Sequence, residues 1–198
     1  MFVIVSCLAI FLDRDGVINY PVFNPKTNEF EAPHNETDFK LFDGVINSLK
    51  LLQKLSFKLF LVSNQPDYAK GKTTLENLYA VHKRMDNIFR QSNITFSEYY
   101  YCYHHPKGIV PGYSIICECR KPGNLFLRQA QLKYGLDLIN SWMIGDRDMD
   151  IMCAQSLGLK SILIKSDSSG SLSKSRPDFK AGSLVEAVEI ISKSNKGV

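Results

Sequence analysis

One stretch, Leu8 to Asn19, constrains this chain more than any other. Leu8 to Leu12 is an unbroken apolar run, the pattern of a short strand buried on both faces, and it stops at Asp13. Asp15 follows two residues later, and Gly16 lets the chain turn sharply. In an open α/β sheet, ligands bind just past the C-terminal ends of such strands. Two carboxylates placed there repel each other unless a cation neutralises them or one holds a proton. Both conditions suit phosphoryl transfer: a Mg2+ site, a carboxylate nucleophile, and a second carboxyl that shuttles protons. The plainer alternative is a turn with Asx caps.

The rest of the chain repeats the motif of a buried strand with a polar end. Tyr20 to Lys40, with Pro21, Pro25 and Pro33, reads as a long loop of the kind that forms a lid or substrate wall. Asp43 is placed to cap a helix whose apolar face carries Val45, Ile46, Leu49 and Leu52. A second strand is expected from Lys58 to Val62, followed by Ser63-Asn64-Gln65. Thr73 and Glu76 have capping-box spacing ahead of a helix in which His82 lies on or beside the apolar stripe and reads as a packed boundary residue. Further strands are expected at Tyr99 to Cys102, Ser141 to Ile144 and Ser161 to Ile164. Helices should run from Leu125 to Tyr134, up to Leu157, and from about Ser183 to Ser192, with Gly135 and Gly158 as C-caps and a loop over 166–177. Strands alternating with helices give an α/β fold, a doubly wound and mainly parallel sheet. With 198 residues, no repeat and no linker signal, residues 1–198 read as a single domain.

Three strand ends therefore carry polar clusters: Asp13 and Asp15, Ser63 and Asn64, Asp146 and Asp150. A parallel sheet brings all three to one edge. Asp146 can then complete a Mg2+ site with Asp13 and a backbone carbonyl. Taken alone, Asp146 reads as a helix N-cap and Asp150 as a first-turn acid. Lys121 precedes a helix and can balance a nucleophile and hold a phosphate, or be a solvated basic turn. Ser63 can donate to a phosphoryl oxygen.

The cysteines form a second constellation. Cys102-Tyr103-His104 is followed, after twelve residues, by Cys117-Glu118-Cys119. Three thiolates and one imidazole in two close pairs suit a closed tetrahedral zinc site of structural type, since four protein ligands leave no open position for catalysis. Incidental cysteines near a strand are the alternative. Cys7 and Cys153 read as small buried hydrophobes. His105 reads as a neighbour of the zinc loop or a substrate contact, and His34 has no partner that the sequence identifies.

Composition excludes more than it selects. The net charge of +4 is slight and spread along the chain, which argues against nucleic acid. The apolar start is too short for a membrane span and lacks the basic flank of a signal peptide, so a cytoplasmic protein is expected.

The set Asp13-x-Asp15-Gly16, Ser63-Asn64, Lys121 and Gly145-Asp146-x-x-x-Asp150 resembles the haloacid dehalogenase (HAD) superfamily of phosphatases. That resemblance implies that Asp13 becomes phosphorylated, that Asp15 is the general acid and base, and that Asp13, the backbone carbonyl of Asp15 and Asp146 hold Mg2+. It also implies that Ser63 and Lys121 grip the phosphate, with Asn64 beside them in the substrate site. The stretches Tyr100 to Pro106 and Cys117 to Pro122 are similar to those of the heptose 1,7-bisphosphate phosphatases within that superfamily. This narrower resemblance implies a compact enzyme without a large cap domain, in which Arg120 contacts a small-molecule sugar phosphate, Zn2+ is structural, and the C7 phosphate is removed for surface polysaccharide synthesis; a monomer is expected. Histidinol phosphate or another sugar phosphate is the nearest rival substrate, and a zinc-stabilised binding module the remote one. Two departures stand out. Pro66 to Lys70 replaces the usual Ser-Gly-Ile-Ala-Arg, and Arg147 stands where Lys is common, which keeps charge but not geometry. The Asn19 to Lys40 segment is also longer than usual.

Overall fold

The structure, a computed structural model, describes residues 7–165 and 175–195. Six strands make one sheet: β1 (Ala9–Leu12), β4 (Lys58–Asn64), β5 (Phe96–Cys102), β6 (Trp142–Gly145), β7 (Lys160–Ile164) and β8 (Phe179–Ala181). Their order is β5-β4-β1-β6-β7-β8, and every neighbouring pair runs parallel. The chain winds outward from β1 to β5, then returns to β6 on the other side of β1. The strand order thus reverses beside β1, which places a crevice at the C-terminal ends of β1 and β6.

Alternation along β1 divides the core into two layers. Ile10 and Leu12 point to one face, where helices α1 (Val45–Lys54), α2 (Leu75–Gln91) and α5 (Leu184–Asn195) deliver Leu49, Leu52, Met85, Phe89, Ala187 and Ile191. Ala9 and Phe11 point to the other, covered by α3 (Leu125–Tyr134) and α4 (Asp148–Gln155) through Leu127, Ala130, Cys153 and Ala154. All four residues of β1 and of β6 are buried. Cys153 is buried as expected, whereas Cys7 is only half-buried. His82 lies at the boundary of the first layer, its Nδ1 3.0 Å from the Tyr101 hydroxyl. No helix among the described residues is long and apolar enough to cross a membrane.

Several local expectations need correction. The Tyr20 to Lys40 segment is not simply a loop: β2 (Val22–Asn24) and β3 (Glu29–Glu31) pair antiparallel, and a single 3-10 turn follows at Glu36–Asp38. Asn28 turns the hairpin at φ +55°, and Phe23 meets Phe30 across it with ring centroids 5.4 Å apart. Strands of three partly exposed residues are too short to show alternation. Helix α1 is capped by Gly44 at φ +78°, without a side-chain cap from Asp43. The cap of α2 is Thr74, which accepts from Asn77 N–H at 3.2 Å, and not Thr73, whose hydroxyl donates to the His34 carbonyl at 3.2 Å. Helix α4 stops at Gln155, ahead of Leu157 and Gly158, and β8 is an edge strand additional to the five expected. The loop expected over 166–177 lies outside the described residues as far as residue 174.

Candidate active site

The floor of the crevice is built by the two strand ends on either side of the reversal. Asp13 N–H donates to the Ile144 carbonyl at 3.0 Å, continuing the β1–β6 ladder by one residue and fixing Asp13 at its end. Gly16, at φ +84°, then turns the chain over the Asp146 carboxylate; a methyl group on Gly16 would run into that carboxylate. Carboxylate oxygens of Asp13, Asp146 and Asp150 lie within 4.8 Å of one another. All three side chains are buried.

Lys121 compensates this charge from the opposite wall. Its Nζ lies 2.9 Å from Asp13 Oδ1 and 2.6 Å from Asp150 Oδ1, and it donates to the Val62 carbonyl at 2.6 Å. Burial alone would lower the lysine, but Asp13 and Asp150 outweigh it and keep the ammonium charged. One cation does not neutralise three acids. Burial, reinforced by Asp150 and Asp15 against the pull of Lys121, holds Asp13 up at about 6. Burial, with Asp13 and Asp150, pushes Asp146 up to about 8. Asp146 Oδ1 is buried with no hydrogen-bond partner. A cluster of hard oxygen donors that must otherwise keep a proton, one oxygen of it unpartnered, fits Mg2+.

Asp15 occupies the adjacent edge. Its carboxylate accepts from Arg14 Nε and Nη2 at 3.1 and 3.0 Å, from Asn19 Nδ2 at 2.9 Å and from Gln65 Nε2 at 2.6 Å. Gln65 Oε1 also accepts from Arg14 at 2.9 Å, and its Nε2 lies 2.9 Å from Ser63 Oγ. Arg14 and Gln65 thus tie the Asp13 loop to the end of β4. Neither was singled out in the sequence, although Gln65 directly follows the Ser63-Asn64 pair. Asn64 spends both ends of its amide on Lys121: Lys121 N–H donates to Asn64 Oδ1 at 3.0 Å, and Asn64 Nδ2 donates to the Lys121 carbonyl at 3.1 Å. Asp150, weighed in the sequence as a first-turn acid, accepts from Arg147 N–H at 3.0 Å and also meets Lys121 directly.

A cleft of about 180 Å³ opens over these groups. Asp13, Asp15, Asn64, Arg120 and Lys121 line it, while Ser63 and Asp146 are buried and do not. Its outer walls come from Glu29 to Ala32 of the hairpin, from Pro66, Asp67, Lys70 and Lys72, and from Arg147 and Met149. Arg120 also donates to the His104 carbonyl at 3.3 Å, which links the cleft to the cysteine segment. His105 accepts from Lys107 N–H at 3.1 Å and does not line the cleft.

The four soft ligands converge as expected. Register places Cys102 opposite Asn64 at the end of β5. Cys102 Sγ lies 3.6 Å from Cys117 Sγ and 3.3 Å from Cys119 Sγ, and the latter two are 3.2 Å apart. His104 Nδ1 stands 3.4 Å from Cys119 and 3.8 Å from Cys102. Zn–S bonds of about 2.3 Å would set sulfur pairs about 3.8 Å apart, so the cluster is close to the size of a tetrahedral metal site. All these cysteines are free thiols. Burial pushes Cys102 and Cys119 up, so thiolates there need a cation to share the site.

Comparison with known proteins agrees with this geometry. Residues 118–187 match the HAD-hydrolase-like family model. The chain is 35% identical over 151 residues to the D-glycero-beta-D-manno-heptose-1,7-bisphosphate 7-phosphatase of Vibrio cholerae, covering 76% of this chain and 77% of that one. It is 32% identical over 193 residues to the enzyme of the same name from Escherichia coli, covering 96% and 97%. The crystal structure of D,D-heptose 1,7-bisphosphate phosphatase from B. bronchiseptica, complexed with magnesium and phosphate, superposes with a TM-score of 0.76 at 22% identity, over 94% of this chain and 99% of that one. With strand-end acids, a buried lysine and relatives that match along its length, the chain belongs to the HAD family of phosphatases, beside the heptose 1,7-bisphosphate 7-phosphatases.

Proposed function

We propose that this phosphatase removes the C7 phosphate of D-glycero-D-manno-heptose 1,7-bisphosphate through a covalent aspartyl-phosphate on Asp13. The observation that carries the chemistry is the buried bridge from Asp13 to Lys121 to Asp150, beside the unpartnered oxygen of Asp146. Asp13 Oδ1 is held by Arg14 N–H at 2.8 Å and by Lys121, which leaves Oδ2 as the attacking oxygen. The bond from Oδ2 to phosphorus forms as the bond from phosphorus to the sugar oxygen breaks. Asp15, oriented by Arg14, Asn19 and Gln65, gives its proton to the departing oxygen. Asp15 then takes a proton from water as that water attacks phosphorus, the bond to Asp13 breaks, and inorganic phosphate leaves. Lys121 faces the transferring group with a permanent positive charge, and Asn64 acts through the Lys121 backbone. Ser63 lies behind the cleft, where its Oγ accepts from Gln65 Nε2 and so supports the group that orients Asp15. Asp13, Asp146 and the Asp15 carbonyl are the groups that would hold Mg2+, which when bound offsets the negative charge of the phosphoryl oxygens and the carboxylates.

The names of the relatives support the heptose substrate, as does the direct link from the Cys102 to Cys119 segment through Arg120 to the cleft. Arg120 would meet the sugar bisphosphate. The Cys102, His104, Cys117 and Cys119 cluster is read as a structural Zn2+ site that shapes this wall. The same reading makes residues 1–198 one cytoplasmic domain acting as a monomer. Phosphate release should be assayed with both anomers of heptose 1,7-bisphosphate beside histidinol phosphate, with phosphorus NMR to identify the position lost. Faster turnover of histidinol phosphate, or loss of the C1 phosphate, would overturn the assignment.

A further inference from the structure

We propose that His34 is a positioning residue that fastens the β2–β3 hairpin to the 65–72 segment, making the hairpin a fixed wall that selects the part of the substrate that is not transferred. This rests on the sugar-phosphate reading above. The hairpin needs such a fastening. Two strands of three residues are marginal in water on their own, and their aromatic pair, Phe23 and Phe30, is nearly half exposed on both sides. What joins it to the rest of the cleft is polar. His34 Nε2 lies 2.9 Å from Asp67 Oδ2, across 33 residues of chain. Lys72 Nζ reaches the Glu31 carboxylate, and Thr73 Oγ1 donates to the His34 carbonyl at 3.2 Å. Glu31 in turn accepts from Asn24 at 2.9 Å and from Thr27 at 3.1 Å, closing the hairpin upon itself.

Of the partners in this clamp, Asn24, Thr27, Glu31 and His34 lie in the long Asn19 to Lys40 stretch and Asp67 in the Pro66 to Lys70 replacement, while Lys72 and Thr73 follow just after it. The clamp holds Glu29 and Phe30 on the cleft surface, opposite the Asp13 floor. An aromatic face beside a carboxylate acceptor suits the C–H face and hydroxyls of a polyol. The charged groups around the His34 ring are Asp67, Glu31 at 3.9 Å, Lys72 bound to Glu31, and Lys70 at 3.9 Å from Asp67, with Asp38 lining the same hollow. The hydrogen bond that His34 donates to Asp67, against burial, holds His34 above its ordinary range. The clamp is therefore strongest below that titration and weakens as pH rises through it.

His34→Gln and His34→Ala separate this role from a general structural one. The measurements are the KM and kcat for heptose 1,7-bisphosphate, the inhibition constant of inorganic phosphate, and hydrogen exchange of the 22–31 amides. Expected for His34→Ala are a KM raised about five- to tenfold, kcat and phosphate inhibition changed by less than about twofold, and faster exchange at 22–31. The KM ratio of variant to wild type should shrink as pH rises. Unchanged exchange at 22–31, an unchanged KM, or KM and phosphate inhibition weakening in parallel each overturn the proposal. Should the wild type not turn over the bisphosphate, the substrate assignment fails, and exchange at 22–31 still decides whether His34 is the clamp.

Discussion

The Lys121 ammonium lies 2.9 Å from Asp13 Oδ1, and both side chains are almost wholly withdrawn from water. Removing the cation leaves the buried carboxylates of Asp13 and Asp150 uncompensated, which costs about 3–5 kcal/mol. Lys121→Met should therefore destabilise the protein by that order at pH 8 and much less at pH 5, where the acids can take up protons instead. Phosphate release should fall at least about a hundredfold, because the cation that faces the transferring group is gone. Lys121→Arg should not rescue it, since a planar guanidinium cannot replace a compact ammonium held between Asp13, Asp150 and the Val62 carbonyl. Urea unfolding at the two pH values checks the stability claim, and a lysine variant equally stable at both would contradict it.

Asp13→Asn separates chemistry from folding. The amide keeps the shape of the side chain and removes one of three crowded buried acids, so the fold should be retained or slightly stabilised. An amide is not a nucleophile, so turnover should drop by about 10³-fold or more. Wild-type protein treated with beryllofluoride should carry the adduct on Asp13, bonded through beryllium to Oδ2, and the variant should carry none. Adduct formation on Asp15 or Asp150 would reassign the nucleophile.

The acid cluster also predicts how Mg2+ affinity changes with pH. In the metal-free protein Asp146 is pushed up to about 8 and Asp13 up to about 6. The folded state therefore binds more protons than the unfolded state between ordinary carboxylate pKa values and pH 8, so metal-free stability falls as pH rises through this window. Mg2+ has to displace those protons. Its apparent affinity should rise with pH, by about tenfold per unit for each proton displaced, and level off above pH 8. Titration calorimetry in buffers of different ionisation enthalpy reads the released proton directly. A flat affinity from pH 6 to 8 would show that the cluster binds no proton.

Much of this site is legible in the sequence, because it is built from strand ends. A buried apolar run that stops at Asp13, or at Ser63, or just before Asp146, places those groups at one edge once the sheet is parallel. The convergence of Cys102, His104, Cys117 and Cys119 is legible for a similar reason, since close pairs leave few other arrangements. What could not be read is whatever depends on meetings between distant segments. Nothing near Arg14 indicates that its guanidinium will be buried against Gln65, fifty-one residues away. Asp150 has the spacing of an ordinary first-turn acid until Lys121 is brought beside it. The hairpin leaves little trace in the sequence because its strands are three residues long and the contacts that fasten it to the rest of the cleft are polar ones between distant residues, which have no period.

The cysteine cluster gives a prediction that separates shape from chemistry. His104 Nδ1, Cys102, Cys117 and Cys119 join the end of β5 to the segment that enters α3, and Arg120 and Lys121 follow immediately. If a metal holds the four together, removing it unties the 102–119 segment but leaves Lys121 anchored by its own bonds to Val62, Asn64, Asp13 and Asp150. Treatment with a chelator strong enough to strip zinc should lower the melting temperature and raise the KM for the bisphosphate, with kcat falling later and less. Cys117→Ser should act in the same direction, because an alcohol is a poor replacement for a zinc-bound thiolate. Metal analysis should find one zinc per chain in the wild type. If kcat fell as fast as KM rose, the cluster would be supporting Lys121 itself, and the separation between the two halves of the site would not hold.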